Sequence, residues 1–243
     1  MATILILPID VLNIFVAILP IKDALRLISS HRYFKNIRIF NLSSWRINDE
    51  ALHQKKYEYI YNLDITCNMN ITSASVSCLT RLTKLNISHG NSFYQEHLNC
   101  ISNLVYLNID YNKNITNIAH LTTLTHLDMI GTFNINNINN LTNLTKLNLY
   151  GNKKITNISD LTNLRKLNIG GWGSSVNQSS INKLTNLTFL KMRNNQRIDS
   201  VSHLTCLIYL NVIDAQSKTT ITNLISLKTL LISDKSSNLS FFG

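Results

Sequence analysis

The sequence predicts an α/β solenoid, a right-handed superhelix of about nine short repeats over residues 57–243, preceded by a small helical module at 1–40 and a connector at 41–56. Three observations predict it. One phrase, Leu-Thr-Asn-Leu-Thr-Lys-Leu-Asn-Leu-Tyr-Gly-Asn-Lys-Lys-Ile-Thr-Asn-Ile at Leu141–Ile158, recurs along the chain. A framework leucine returns at Leu63, Leu85, Leu107, Leu127, Leu147, Leu167, Leu190, Leu210 and Leu230, at intervals of mostly 20 to 22 residues and once of 23. Around each leucine the apolar residues alternate, as in Leu144-Thr-Lys-Leu147-Asn-Leu149. A unit this small cannot bury its own apolar face, so only stacking on its neighbours gives it a core.

At the start of the chain, Leu7-Pro-Ile-Asp-Val-Leu12 has the form of a helix entry with proline in its first turn. Val11, Leu12, Phe15, Val16 and Leu19 follow at helical spacing, and Pro20 stops the run. Asp23 suits the start of a second helix, where a carboxylate complements the helix dipole; Ala24, Leu25, Leu27 and Ile28 form its apolar side. His31 to Phe34, with Ile37, suggest a third amphipathic piece. Residues 35–56 carry two basic clusters and weaker periodicity; they suit a connector in which Trp45 anchors the packing.

Each repeat should then open with a short strand, because period-2 alternation places the framework residues on one face and the intervening ones on the other. Five residues after the framework leucine comes a turn asparagine, Asn68, Asn112, Asn152 or Asn195, whose amide can satisfy the backbone of a chain leaving a strand. Gly90, Thr132, Ala215 and Lys235 stand in its place elsewhere. Isoleucine pairs such as Ile115/Ile118 and Ile155/Ile158 return to the core. So short a repeat leaves room on its far side for tight turns or 3₁₀ rather than full helices. The long repeat, Ile169 to Ile181, contains Gly170-Gly-Trp172-Gly-Ser-Ser, and insertions in a solenoid map to loops. Trp172 occupies the asparagine position, and either fills that space or stands exposed as an anchor.

The repeat frame resembles the leucine-rich repeat family over roughly residues 56 to 240, which implies a binding surface rather than an active site. The opening segment resembles an F-box, the helical module that docks on the Skp adaptor of cullin–RING ubiquitin ligases. The family's L-P-x-[DE]-[VIL]-L is matched by Leu7, Pro8, Asp10, Val11 and Leu12; its I-L-x-x-L-P by Phe15, Val16, Leu19 and Pro20; its K-D-x-L-R-L by Lys22, Asp23, Leu25, Arg26 and Leu27; its terminal aromatic by Phe34. Ser29 and Ser30 depart from it. The resemblance implies an adaptor interface built from Leu7, Pro8, Leu12, Phe15, Leu19 and Pro20. It also implies a substrate-recognition subunit of a Skp–cullin–F-box ligase, working inside the cell in cytoplasm or nucleus. The alternative is a leucine-rich repeat scaffold or effector in which these helices only cap the solenoid.

Target binding is expected on the outward strand positions, the concave side. One varying column holds Lys84, Tyr106, His126, Lys146, Lys166, Phe189 and Tyr209; another holds Asp110, Tyr150, Gly170 and Arg193. The middle column is mostly asparagine, with Lys191 in one repeat, and its amides are expected to bond one another up the ladder. Tyr106, His126, Lys146, Tyr150, Lys166, Trp172, Phe189, Lys191, Arg193 and Tyr209 are therefore the candidate partner-binding residues, since aromatic and cationic side chains dominate interface energy. A net charge of +10 favours an acidic or phosphorylated protein partner over a nucleic acid, which only the charge itself supports.

Cys67, Cys78, Cys100 and Cys206 show no paired spacing, which fits a reducing compartment. Sequons such as Asn86-Ile-Ser88, Asn143-Leu-Thr145 and Asn186-Leu-Thr188 arise automatically from the repeat, several of them expected on strands. The run from Val11 to Leu19 has no basic residue before it, and it is shorter than the ~20 residues that span a bilayer, so neither signal peptide nor membrane anchor is expected. No phosphate-binding loop, dinucleotide fingerprint or zinc-protease motif occurs, and His203 with Cys206 lacks an acidic third member. Catalysis, metal and cofactor are not expected.

Overall fold

The computed structural model describes residues 61–67, 71–72, 75–76, 79–90, 93–215 and 219–233. The expected N-terminal helices, Trp45, Asn68, Cys78 and Lys235 lie outside the described residues. By its contacts the chain divides into two compact units, Met1–Leu107 and Asn108–Gly243.

In the first unit, β1 (Asn62–Asp64) and β2 (Lys84–Asn86) pair in parallel, with Leu63 opposite Leu85. A one-turn helix, α1 (Gln95–Leu98), buries Leu98. β3 (Tyr106–Asn108) falls at the division between the units. The second unit continues with β4 (His126–Asp128), β5 (Lys146–Asn148), β6 (Lys166–Asn168), α2 (Gln178–Ile181), β7 (Phe189–Lys191), β8 (Tyr209–Asn211) and β9 (Thr229–Leu231). There each strand pairs in parallel with the next, and Leu127, Leu147, Leu167, Leu190, Leu210 and Leu230 stand in one row.

Every framework leucine is the middle residue of a three-residue strand. From Leu127 to Leu210 all are buried, as are the isoleucine pairs Ile115/Ile118 and Ile155/Ile158. At about 1.5–3 kcal/mol for each buried leucine or isoleucine side chain, this inner stack supplies the driving force for the fold. Among the described residues, α1 and α2 occur in repeats of 22 and 23 residues, whereas the 20-residue repeats from Leu107 to Leu167 carry turns, because so short a unit has no chain to spare for a helix.

The turn after each of the strands β1 to β8 repeats one backbone feature that no residue type announces. The residue four after the framework leucine has positive φ at Cys67, His89, Tyr111, Gly131, Gly151, Gly171, Asn194 and Asp214. Its N–H reaches the next coil, as Tyr111 to Ile130 O at 2.7 Å and Gly151 to Gly170 O at 2.8 Å. The following asparagine is buried and closes the turn. Asn152 donates from Nδ2 to Thr132 O at 2.7 Å and accepts from the N–H groups of Lys154 and Ile155 at 2.9 Å each. Thr132 substitutes by donating its hydroxyl to Ile109 O at 2.9 Å.

Two expectations about asparagine are corrected. Along the middle column, Asn148, Asn168 and Asn211 turn Oδ1 onto the N–H two residues ahead, at Tyr150, Gly170 and Ile213. The amide oxygen is thus used in its own turn; a rung between neighbours is seen from Asn86 Nδ2 to Asp64 Oδ2 at 3.1 Å. The asparagine of Leu-Thr-Asn-Leu, or of Ile101-Ser-Asn-Leu104 in one repeat, makes the inter-coil ladder instead. Asn103, Asn143, Asn163 and Asn186 donate Nδ2 to the carbonyls of Thr80, Thr122, Thr142 and Thr162 in the preceding coil. Of the sequons, Asn86 lies on β2, whereas Asn143 and Asn186 precede their strands.

Candidate partner-binding face

Within the second unit the strand face carries two outward columns. The first runs His126, Lys146, Lys166, Phe189, Tyr209, Thr229; the second runs Asp128, Asn148, Asn168, Lys191, Asn211, Leu231. The sequence places these residues outward because the leucine between them is drawn into the core. Phe189 and Tyr209, neighbours in register, stack with centroids 4.2 Å apart and planes 10° from parallel. Lys191 Nζ lies 5.4 Å and Lys166 Nζ 6.0 Å from the Phe189 ring centroid, the range of a cation–π contact. A shallow depression of about 190 Å³ opens among Asp128, Lys146, Asn148, Lys166, Asn168, Phe189 and Lys191. Stacking and cation contacts hold the rings in place before any partner arrives, which lowers the entropy lost on binding.

Six of the ten candidate residues therefore meet on this face: His126, Lys146, Lys166, Phe189, Lys191 and Tyr209. His126 is oriented by a 2.7 Å hydrogen bond between Nδ1 and Thr125 Oγ1. Tyr106 lies in the first unit and lines a separate depression of about 350 Å³ with Asn62, Asp64, Lys84 and Asn86. Tyr150, Trp172 and Arg193 lie beyond the strands, at the turn edge. Arg193 is 3.7 Å from Asp214, both half exposed, so part of its charge is already answered. Such exposed pairs contribute only ~0–1 kcal/mol and yield readily to a competing partner.

Trp172 does not fill the asparagine slot. It is 73% exposed, and Ser174 takes the slot: its N–H bonds Gly171 O at 3.3 Å and its hydroxyl accepts from Asn195 Nδ2 at 3.4 Å. The inserted residues push the indole out while the small serine satisfies the interior. Tyr150 lies beside Gly171, whose missing side chain makes room for the Gly151 backbone: a Cβ there would sit 2.6 Å from Gly151 N but at an ordinary 3.5 Å from the Tyr150 ring. Exposed Tyr111 and Phe133 add aromatic surface in the same class of turn, and the sequence reasoning missed both. The signal was available: each stands in a turn position that other repeats fill with glycine or lysine.

His203 makes a structural contact, its Nε2 lying 3.2 Å from Ile181 O, and Cys206 is exposed. Cys67, Cys100 and Cys206 are free thiols. Among the described residues no cluster of histidine, cysteine or acidic side chains could hold a metal, and no helix is long and apolar enough to cross a membrane. The adaptor-binding candidates Leu7, Pro8, Leu12, Phe15, Leu19 and Pro20 lie outside the described residues.

Comparison with solved structures places this geometry. A leucine-rich repeat protein of Leptospira interrogans superposes with a TM-score of 0.61 at 20% identity, over 88% of this chain and 58% of its own. The fold is that of a leucine-rich repeat solenoid. Internalin C2 of Listeria monocytogenes matches with a TM-score of 0.60 at 25% identity, over 77% of this chain and 84% of its own. The functional domain of InlJ, also from Listeria monocytogenes, matches with a TM-score of 0.57 at 23% identity, over 77% of this chain and 47% of its own. The chain thus spans about half the length of two of these three structures. No protein-family model matches the sequence, and no curated protein matches it.

Proposed function

We propose that the chain is a protein-interaction scaffold that binds its partner on the strand face and catalyses nothing itself. One observation carries the reading: the Phe189–Tyr209 stack, flanked by Lys166 and Lys191, stands outward on a rigid ladder whose inner side is fully used for packing. A polar solenoid face has no structural need for stacked rings there, whereas a partner gains desolvated aromatic anchors. The likeness to internalin and other leucine-rich repeat structures supports the scaffold reading over the ligase-specific one. The test compares partners recovered by the parent protein, by Phe189→Ala/Tyr209→Ala, and by Thr142→Ala/Thr162→Ala on the far side of the coils. Loss only in the aromatic variant supports the reading; equal recovery by all three refutes it.

A finer reading makes this scaffold the substrate-recognition subunit of a Skp–cullin–F-box ligase in cytoplasm or nucleus. Its support is the gap-free run of matches from Leu7 to Phe34. The mechanism is tethering, which raises the effective concentration of target lysines near the charged enzyme. Binding to a Skp adaptor, abolished by Leu12→Asp with Pro20→Ala, tests it; failure of the parent protein to bind leaves residues 1–40 the role of a cap.

A further inference from the structure

Resting on the scaffold reading, we propose that the depression on the strand face is a phosphate-recognition site for a phosphorylated segment of the partner protein. Lys146 and Lys166 are direct neighbours in the parallel ladder, where strands lie about 4.8 Å apart, and Lys191 projects from the next strand. All three line one small depression. Like charges placed side by side on a sheet destabilise it, and among the described residues none of the three lysines makes an ion pair. Asp128, the one carboxylate lining the depression, stands on β4, three strands from Lys191, so cations remain in excess.

The grouping chooses between anions. An acidic run spreads its charge along several residues and would be matched by cations spread along the ladder. Here three lysines from adjacent strands line one depression of about 190 Å³, which suits one compact dianion with three acceptor oxygens. Asn148 and Asn168 have committed Oδ1 to their own turns, so each amide presents Nδ2 as an additional donor. The Phe189–Tyr209 stack lies directly beyond the lysines along the same column, placed to take an apolar side chain next to the phosphorylated residue. The recognised element is therefore a phosphoserine or phosphothreonine followed or preceded by an apolar residue.

The test uses the full chain, immobilised, and a peptide library with a fixed central phosphoserine and degenerate flanks, beside the same library carrying serine or glutamate. The phosphoserine library should be retained at least tenfold above the serine library. Lys166→Ala/Lys191→Ala should erase that preference, Lys166→Arg/Lys191→Arg should keep it, and Phe189→Ala should keep it while losing selection for an apolar flank. Equal retention of phosphorylated and plain libraries overturns the proposal, as does full retention by the double alanine variant. Oligouridylate of twelve nucleotides that binds through the same lysines, and displaces the phosphopeptides, overturns it in favour of a nucleic acid. A partner that crosslinks to the strand face equally before and after phosphatase treatment removes the phosphate inference yet leaves the scaffold reading standing.

Discussion

Replacing Asn152 by alanine removes three hydrogen bonds at once, from a side chain that is 1% exposed. Its Nδ2 satisfies the carbonyl of buried Thr132 in the preceding coil, and its Oδ1 satisfies the N–H groups of Lys154 and Ile155. Alanine leaves these groups without a partner. An unsatisfied buried group costs about 1–3 kcal/mol, and Lys154 is exposed enough for water to recover its share, so Asn152→Ala should cost about 3–5 kcal/mol. Asn148→Ala is the matched control, since its Oδ1 makes one 3.3 Å bond to the N–H of exposed Tyr150. Water replaces that bond, and the loss should stay below about 1 kcal/mol. Urea unfolding gives the two differences, and amide exchange at Ile155 locates the damage, because a stacked-repeat protein opens locally. Costs that agree to within about 0.5 kcal/mol would show that the turn asparagines are ornaments of the repeat and not its fasteners.

Gly171→Ala should be far more damaging than Gly151→Ala. At φ +97° a Cβ on Gly171 would sit 2.6 Å from the backbone nitrogen of Gly151, whereas Gly151 at φ +69° faces open space. Thermal unfolding should show about 3 kcal/mol or more for the first and about 1–2 kcal/mol for the second, which bears only left-handed strain. Trp172→Ala should change stability by less than about 0.5 kcal/mol, while Leu167→Ala, which empties a core position, should cost about 2–5 kcal/mol by the same assay. Lys166→Ala should leave stability unchanged or raise it by about 0.2–1 kcal/mol, through relief of the Lys146 neighbour. That gain should shrink in molar salt, and a loss that salt does not alter would argue against repulsion.

The ladder could be traced in the sequence wherever one residue type does one job. Leucine at period 2 can only face inward, so all nine framework leucines fell at strand centres, and the isoleucine pairs fell in the core. The left-handed turn position could not be traced. Cysteine, histidine, tyrosine, glycine, asparagine and aspartate all occupy it, because the inter-coil hydrogen bond is made by backbone N–H and asks nothing of the side chain. The asparagines were assigned to the wrong ladder for a related reason: an amide has both a donor and an acceptor, and spacing does not say which neighbour claims each. Of the site, the outward columns followed from the alternation, and Lys166, Phe189 and Tyr209 stand where it put them. What required coordinates was the Asp214 partner of Arg193, the eviction of Trp172 by Ser174, and the lining of one depression by three lysines from three strands.

The account turns on which side of the coils a partner touches. A photo-crosslinking amino acid placed singly at Asn211, Thr229, Thr142 and Thr162, in the full chain exposed to its native extract, reads this directly. The account predicts adducts from Asn211 and Thr229, outward neighbours of Lys191 and Tyr209 on the same face, absent when Phe189→Ala/Tyr209→Ala is added, and none from the two threonines at 142 and 162. Adducts confined to Thr142 and Thr162 would contradict it.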